Sequence, residues 1–130
     1  MRKSEERIIV KAGSAQKRKP MSGEMAQRIM RRVPYQEGFR FSRGIGDYTG
    51  QVATSLEDFA EMLGTVDLRS IVFHMERGDF EKWMVGIFGD QELSEMINRR
   101  RIFQGENLRK ELAKTVKDRI EDLKAMPKTA

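Results

Sequence analysis

Residues 54–93 read TSLEDFAEMLGTVDLRSIVFHMERGDFEKWMVGIFGDQEL. Apolar positions recur at helical spacing, and glycines interrupt them. Leu56, Phe59, Ala60 and Leu63 make one stripe, with Ser55 or Thr54 as the cap and Gly64 as the stop. Asp67 opens a second helix to about Arg77, which carries Leu68, Ile71, Val72 and Met75. Gly78-Asp79 and Gly89-Asp90 repeat one device, a glycine stop followed by an aspartate cap. Between them lies a third helix, Phe80 to Phe88. A fourth runs from Gln91 to about Ile102, and a fifth from about Glu106 to Ala125. The last is the longest, with Leu108, Leu112, Val116, Ile120 and Leu123 as its stripe.

Outward from this block the pattern changes. Phe39-Arg40-Phe41 alternates like a strand, and Gly44, Gly46 and Gly50 break the next stretch into a loop that lets Tyr48 pack. Ser22 is placed to cap a short helix from Gly23 to Arg32, stopped by Val33-Pro34. The fold expected is mainly α: a compact bundle of about five short helices after a short β-like segment, with a basic N-terminal arm. The divisions are an arm over 1–34, a helical domain over 35–126 and a tail over 127–130.

Charge separates these parts. The 130 residues hold 25 Lys/Arg and 20 Asp/Glu, a net of +5. Residues 1–34 account for ten of the basic and three of the acidic residues, a net of +7, so the rest is near neutral at −2. No stretch approaches the ~18 apolar residues of a membrane span, and no cysteine is present for a disulfide scaffold. Ile8-Ile9-Val10 is too short for a secretory h-region, so the expected compartment is the cytoplasm.

A family resemblance rests on Tyr48-Thr49-Gly50, Ala53 through Phe59, Val66 through Ile71, Phe73-His74, Glu76 through Phe80, Trp83, Gly89 through Leu93 and Gly105 through Arg109. Over roughly residues 36–124 the chain resembles the small, mainly archaeal domain of unknown function 5752 family. The resemblance implies a compact, mostly helical module without an established activity, so it carries over no catalytic residues. Tyr48, His74, Arg77, Asp79 and Trp83 are motif residues of unknown role. The arm lies outside this resemblance.

No catalytic set emerges from the residues themselves. His74 is the only histidine, and without cysteine no Ser-His-Asp or Cys-His arrangement can be assembled around it. His74, Glu76 and Asp79 are the most enzyme-like cluster, but helix positions two apart face different ways. The expected roles are a structural histidine and an aspartate cap, with no metal and no cofactor. Arg77-Gly78-Asp79 reads as helix end, stop and cap rather than as an adhesion tripeptide. The Gly44–Gly50 loop lacks the Gly-Lys-Ser/Thr of a phosphate loop, which leaves only a small anion or peptide contact through Arg43.

Binding is the better-supported class. Lys11, Lys17, Arg18, Lys19, Arg28, Arg31 and Arg32 are candidates for contact with nucleic acid, a nucleoprotein or an acidic partner, and Arg99-Arg100-Arg101 forms a secondary basic patch. Tyr35 is the only aromatic near the arm, so base stacking is not indicated. The polar face of the last helix, including Arg109, Lys114, Asp118 and Arg119, suits solvent or a charge-selected helix partner, whether a protein or a second copy. The expected function is a non-enzymatic binding or adaptor protein whose domain contacts protein and whose arm contacts nucleic acid. The alternative is a regulatory protein-interaction module without a nucleic-acid role.

Overall fold

The computed structural model describes residues 22–127. Six helices surround one two-stranded hairpin. They are α1 (Gly23–Ile29), β1 (Phe39–Ser42), β2 (Tyr48–Ala53), α2 (Leu56–Leu63), α3 (Leu68–Arg77), α4 (Asp79–Trp83), α5 (Gln91–Asn98) and α6 (Gly105–Lys124). The mainly α expectation holds for these residues. The candidate contact residues Lys11, Lys17, Arg18 and Lys19 lie outside them.

Local chemistry sets the helix ends. The Ser55 hydroxyl accepts from the Asp58 N–H, and Asp67 accepts from the Arg69 N–H. The Arg69 side chain joins that contact and, with the same N–H, holds the Asp67 carboxyl down at about 2. Gly78 (φ 72°) and Gly89 (φ 70°) adopt the left-handed conformation that a side chain would strain, and each closes its helix. After Trp83 the backbone widens into one π-helical turn, Met84–Phe88. That turn directs both Met84 and Phe88 into the core and leaves Val85 exposed.

Three parts of the architecture differ from expectation. First, the boundary at residue 34 does not divide the packing. Ala26, Ile29 and Val33 are buried in the common core, and the Val33 N–H donates to the Thr54 carbonyl at 2.8 Å. The α1 helix ends at Ile29, short of Arg32, with Met25 facing solvent. Second, Tyr48 through Ala53 is a strand rather than a loop, and Tyr48 is 43% exposed rather than packed. Phe39 pairs with Ala53, Arg40 with Val52, and Ser42 with Tyr48, so β2 carries two more residues than β1 across the same interval. The Thr49 hydroxyl stitches that bulge by donating to the Phe41 carbonyl and accepting from the Gln51 N–H. Third, two arginines assigned to the polar face of α6 turn inward. Arg109 donates to the Leu63 and Val66 carbonyls, both at 2.8 Å, at the end of α2. Arg119 is 3% exposed and forms a two-point bond with Asp90.

The core has two regions. Between the hairpin and α2–α4, Phe39, Phe41, Phe59, Phe80 and Trp83 meet with ring centroids 5.0–6.3 Å apart, half of the pairs edge to face. The other region is aliphatic, where α6 lies along α2 and buries Leu112, Val116 and Leu123. No helix among the described residues is long and apolar enough to cross a membrane.

Candidate functional site

His74 occupies the turn of α3 that faces the hairpin, because Ile71 and Met75 commit that face of the helix to the core. The residue is 5% exposed, and its ring lies against Phe39, Phe73 and Phe80. The Ser42 backbone N–H donates to Nε2 at 2.9 Å, and Nδ1 lies 2.8 Å from Asp79 Oδ2. An Nε2 that accepts carries no proton, so the pattern assigns a neutral imidazole that donates from Nδ1 to Asp79. Burial lowers the imidazole pKa from its ordinary 6.5 and outweighs the Asp79 carboxylate, which acts the other way. Burial pushes Asp79 up in turn, but hydrogen bonds from His74 and Arg77 leave it below its ordinary 3.8.

The expected capping role of Asp79 is therefore corrected. Gly78 is both the stop of α3 and the cap of α4, so Asp79 is already the first helical residue. Its carboxylate binds His74 and the Arg77 Nε instead. Arg77 is held by this pair and lies 5.1 Å over the Phe73 ring. Trp83 Nε1 donates to the Glu37 carbonyl at 2.8 Å, which ties α4 to the entry of β1. Glu76 is exposed and diverges from His74. Among the described residues, no group of three or more His, Asp or Glu could hold a metal ion.

The basic candidates divide into engaged and solvent-facing residues. Arg28 is exposed on α1. Arg31 donates to the Ile87 carbonyl at 3.0 Å and lies 5.5 Å over the Phe88 ring. Arg32 pairs with Asp58 at 2.8 Å and keeps that carboxyl below its ordinary value. Arg101 bonds to Asn98, Glu81 and the Met75 carbonyl, while Arg99 is exposed and Arg100 half-buried. Arg43, the anion candidate of the glycine loop, pairs with Asp47 at 2.8 Å.

One surface cluster went unread in the sequence. Arg40 projects outward from β1, between the inward Phe39 and Phe41. Its guanidinium lies 4.8 Å from the Tyr35 ring centre and 6.0 Å from that of Tyr48. Arg40 donates to the Tyr35 hydroxyl at 3.3 Å, and the mutual influence of the two hydroxyls raises the Tyr48 pKa and lowers that of Tyr35. The rings stay accessible, Tyr35 at 56% and Tyr48 at 43%. The outward position of Arg40 follows from the Phe-Arg-Phe alternation. Its meeting with Tyr48 required the unread β2.

A model described as a family of unknown function (DUF5752) matches residues 22–117. The chain belongs to this family. The family match opens at Ser22, the cap of α1, well before the start near residue 36 that the motifs suggested. It takes in Ala26, Ile29 and Val33, in agreement with the packing. The DUF5752 match includes the His74–Asp79 pair and the Tyr35–Arg40–Tyr48 cluster, and its description assigns a role to neither. No curated protein and no solved structure matches the chain.

Proposed function

We propose that this chain is a small, cytoplasmic, non-enzymatic binding or adaptor protein. Its folded domain contacts protein, and its basic N-terminal residues contact nucleic acid or a nucleoprotein through charge. One observation carries this reading: the charge divides where the family match begins. Residues 22–127 hold 17 Lys/Arg against 18 Asp/Glu, whereas residues 1–21 hold seven against two. Within the domain, Arg31 and Arg32 already serve intramolecular acceptors. The cationic excess thus lies ahead of Ser22, in a narrower segment than the first 34 residues. The engagement of both His74 nitrogens supports the non-enzymatic half, because it removes the one imidazole from proton transfer and from ligation.

The test is a salt titration of RNA and DNA binding by the full chain and by a variant with Lys11, Lys17, Arg18 and Lys19 replaced by glutamine. Each lost phosphate contact lowers the log–log salt slope by ~0.7–0.9, so the variant is expected to lose a slope of up to about 3.6. Equal slopes and affinities in the two proteins rule out the nucleic-acid half.

A second reading, a protein-interaction module alone, draws on the surface of α3. Leu68, Val72 and Phe73 are half-buried beside a groove of 370 Å³ whose walls include Arg43, Arg69 and Glu76. A stoichiometric protein partner that survives nuclease treatment favours it.

A further inference from the structure

We propose that the Tyr35–Arg40–Tyr48 face of the hairpin binds single-stranded nucleic acid, with bases stacked on the tyrosine rings and a phosphate held by Arg40. The proposal rests on the nucleic-acid half of the proposed function, and it moves part of the contact from the N-terminal residues onto the folded domain.

Binding an unpaired strand takes two things at close quarters, a π-face for a base and a cation for the adjacent phosphate. The cluster supplies both within 6.0 Å. Arg43, Arg69, Arg77, Arg101, Arg109 and Arg119 are all paired with carboxylates. Arg40 instead bonds to the Tyr35 hydroxyl and lies beside two aromatic rings, and no acid among the described residues pairs with it. That is the charge complement of a phosphate. The segment of net +5 that precedes Ser22 adds to the attraction for the same polyanion.

The geometry is also prepared in advance. The Arg40–Tyr35 bond and the placing of the Arg40 guanidinium beside both rings hold the three side chains together before any ligand arrives, which lowers the ordering cost of binding. Stacking is indifferent to base identity, so the expected ligand is a flexible single strand without strong sequence preference. A stacked duplex does not offer its base faces.

The experiment measures binding of a labelled oligouridylate to the full chain at low salt, with inorganic polyphosphate as a competitor that has charge but no bases. Tyr35→Ala and Tyr48→Ala are each expected to weaken oligouridylate binding about tenfold and to leave the polyphosphate affinity unchanged. Tyr48→Phe keeps the ring and is expected to retain the affinity, and Tyr35→Phe, which keeps the ring but loses the Arg40 bond, is expected to weaken binding less than Tyr35→Ala. Arg40→Gln is expected to weaken both ligands. Since both tyrosines are surface residues, Trp83 fluorescence and Tm serve as folding controls and are expected not to move.

Alanine variants that bind oligouridylate like the parent overturn the proposal while leaving a purely electrostatic N-terminal contact standing. Phenylalanine variants as weak as the alanine ones overturn stacking. A polyglutamate peptide whose binding needs the tyrosines, beside oligouridylate binding that does not, assigns the face to an acidic protein and also overturns it.

Discussion

Arg119 and Asp90 offer the sharpest test of how this domain is held together. Their side chains are 4% and 1% exposed, and they share bonds of 3.1 and 2.9 Å. Asp90 also caps α5 by accepting from the Leu93 N–H at 3.1 Å. The Arg119→Met variant fills similar space and leaves a buried carboxylate with only its backbone donor. Breaking one side of a buried pair costs about 3–5 kcal/mol, because the remaining charge is uncompensated. Asp90→Ala removes the cap as well, worth about 1 kcal/mol, and leaves Arg119 only the more distant Glu92 at 3.6 Å. It is the more damaging change. For a domain of this size the expected fall in Tm is roughly 15–25 °C. Combining Arg119→Met with Asp90→Ser restores a neutral pair and keeps a capping oxygen. The double variant is expected within about 1–2 kcal/mol of the parent, well above either single change. Urea unfolding read by Trp83, the sole tryptophan and a core residue, measures all of these. A cost below about 1 kcal/mol for Arg119→Met, or strict additivity in the double variant, would refute the reasoning.

The His74 contacts make stability depend on pH. The folded protein holds His74 neutral with its pKa below 6.5, whereas the unfolded chain takes up the proton at about 6.5. The stability from this difference is fully present above pH 6.5 and is lost as pH falls from there toward the folded pKa; the lowered Asp79 pKa extends the loss below 3.8. As the only histidine, His74 dominates the upper part of this window, so urea midpoints between pH 7 and pH 5 should decline in the parent and stay flat in His74→Gln. A flat parent profile counts against the neutral assignment. Another prediction concerns the boundary. Compared with a chain that begins at Ser22, one that begins at Tyr35 loses the buried Ile29 and Val33 and the Arg32–Asp58 pair, and its Tm is expected to fall. Burial of the two aliphatic side chains alone contributes about 3–6 kcal/mol. Equal melting temperatures for the two chains would place α1 outside the cooperative unit.

The helices were legible where local chemistry and packing agreed. The stripe Leu56, Phe59, Ala60 and Leu63 with a serine ahead of it reads as α2, and α2 spans those residues. The β2 strand was not legible because its two extra residues and Gly50 destroy the two-residue alternation that marks a strand. Residues 22–34 were misassigned because arginines dominate their composition, although Ala26, Ile29 and Val33 are spaced by three and four as a buried helical face requires. Arg119 carried a similar overlooked signal. It lies three residues after Val116 and four before Leu123, on the buried stripe itself, where an arginine is stable only if a partner reaches it. That partner, Asp90, is 29 positions away, and no local pattern connects them. The Tyr35–Arg40–Tyr48 cluster was unreadable for the same reason.

The two Gly-Asp joints show why dipeptide motifs do not assign roles here. Gly78 and Gly89 have nearly the same conformation, and each is followed by aspartate. After Gly89 the chain spends one more residue outside the helix, so Asp90 is a true cap, and its carboxylate accepts from Arg119 through both oxygens as well. After Gly78 the next helix begins at once, so Asp79 has no backbone donor to cap and turns to His74 and Arg77. A shift of one residue converts a helix cap into the anchor of a buried imidazole. It also removes the adhesion reading of Arg77-Gly78-Asp79 on physical grounds. The two charged ends of that tripeptide are bonded to each other at 3.0 Å, and a partner would have to break that contact and the His74 bond to read them. Among the described residues the Arg40 cluster has no such acid to displace, so a ligand at the hairpin would meet an uncompensated cation.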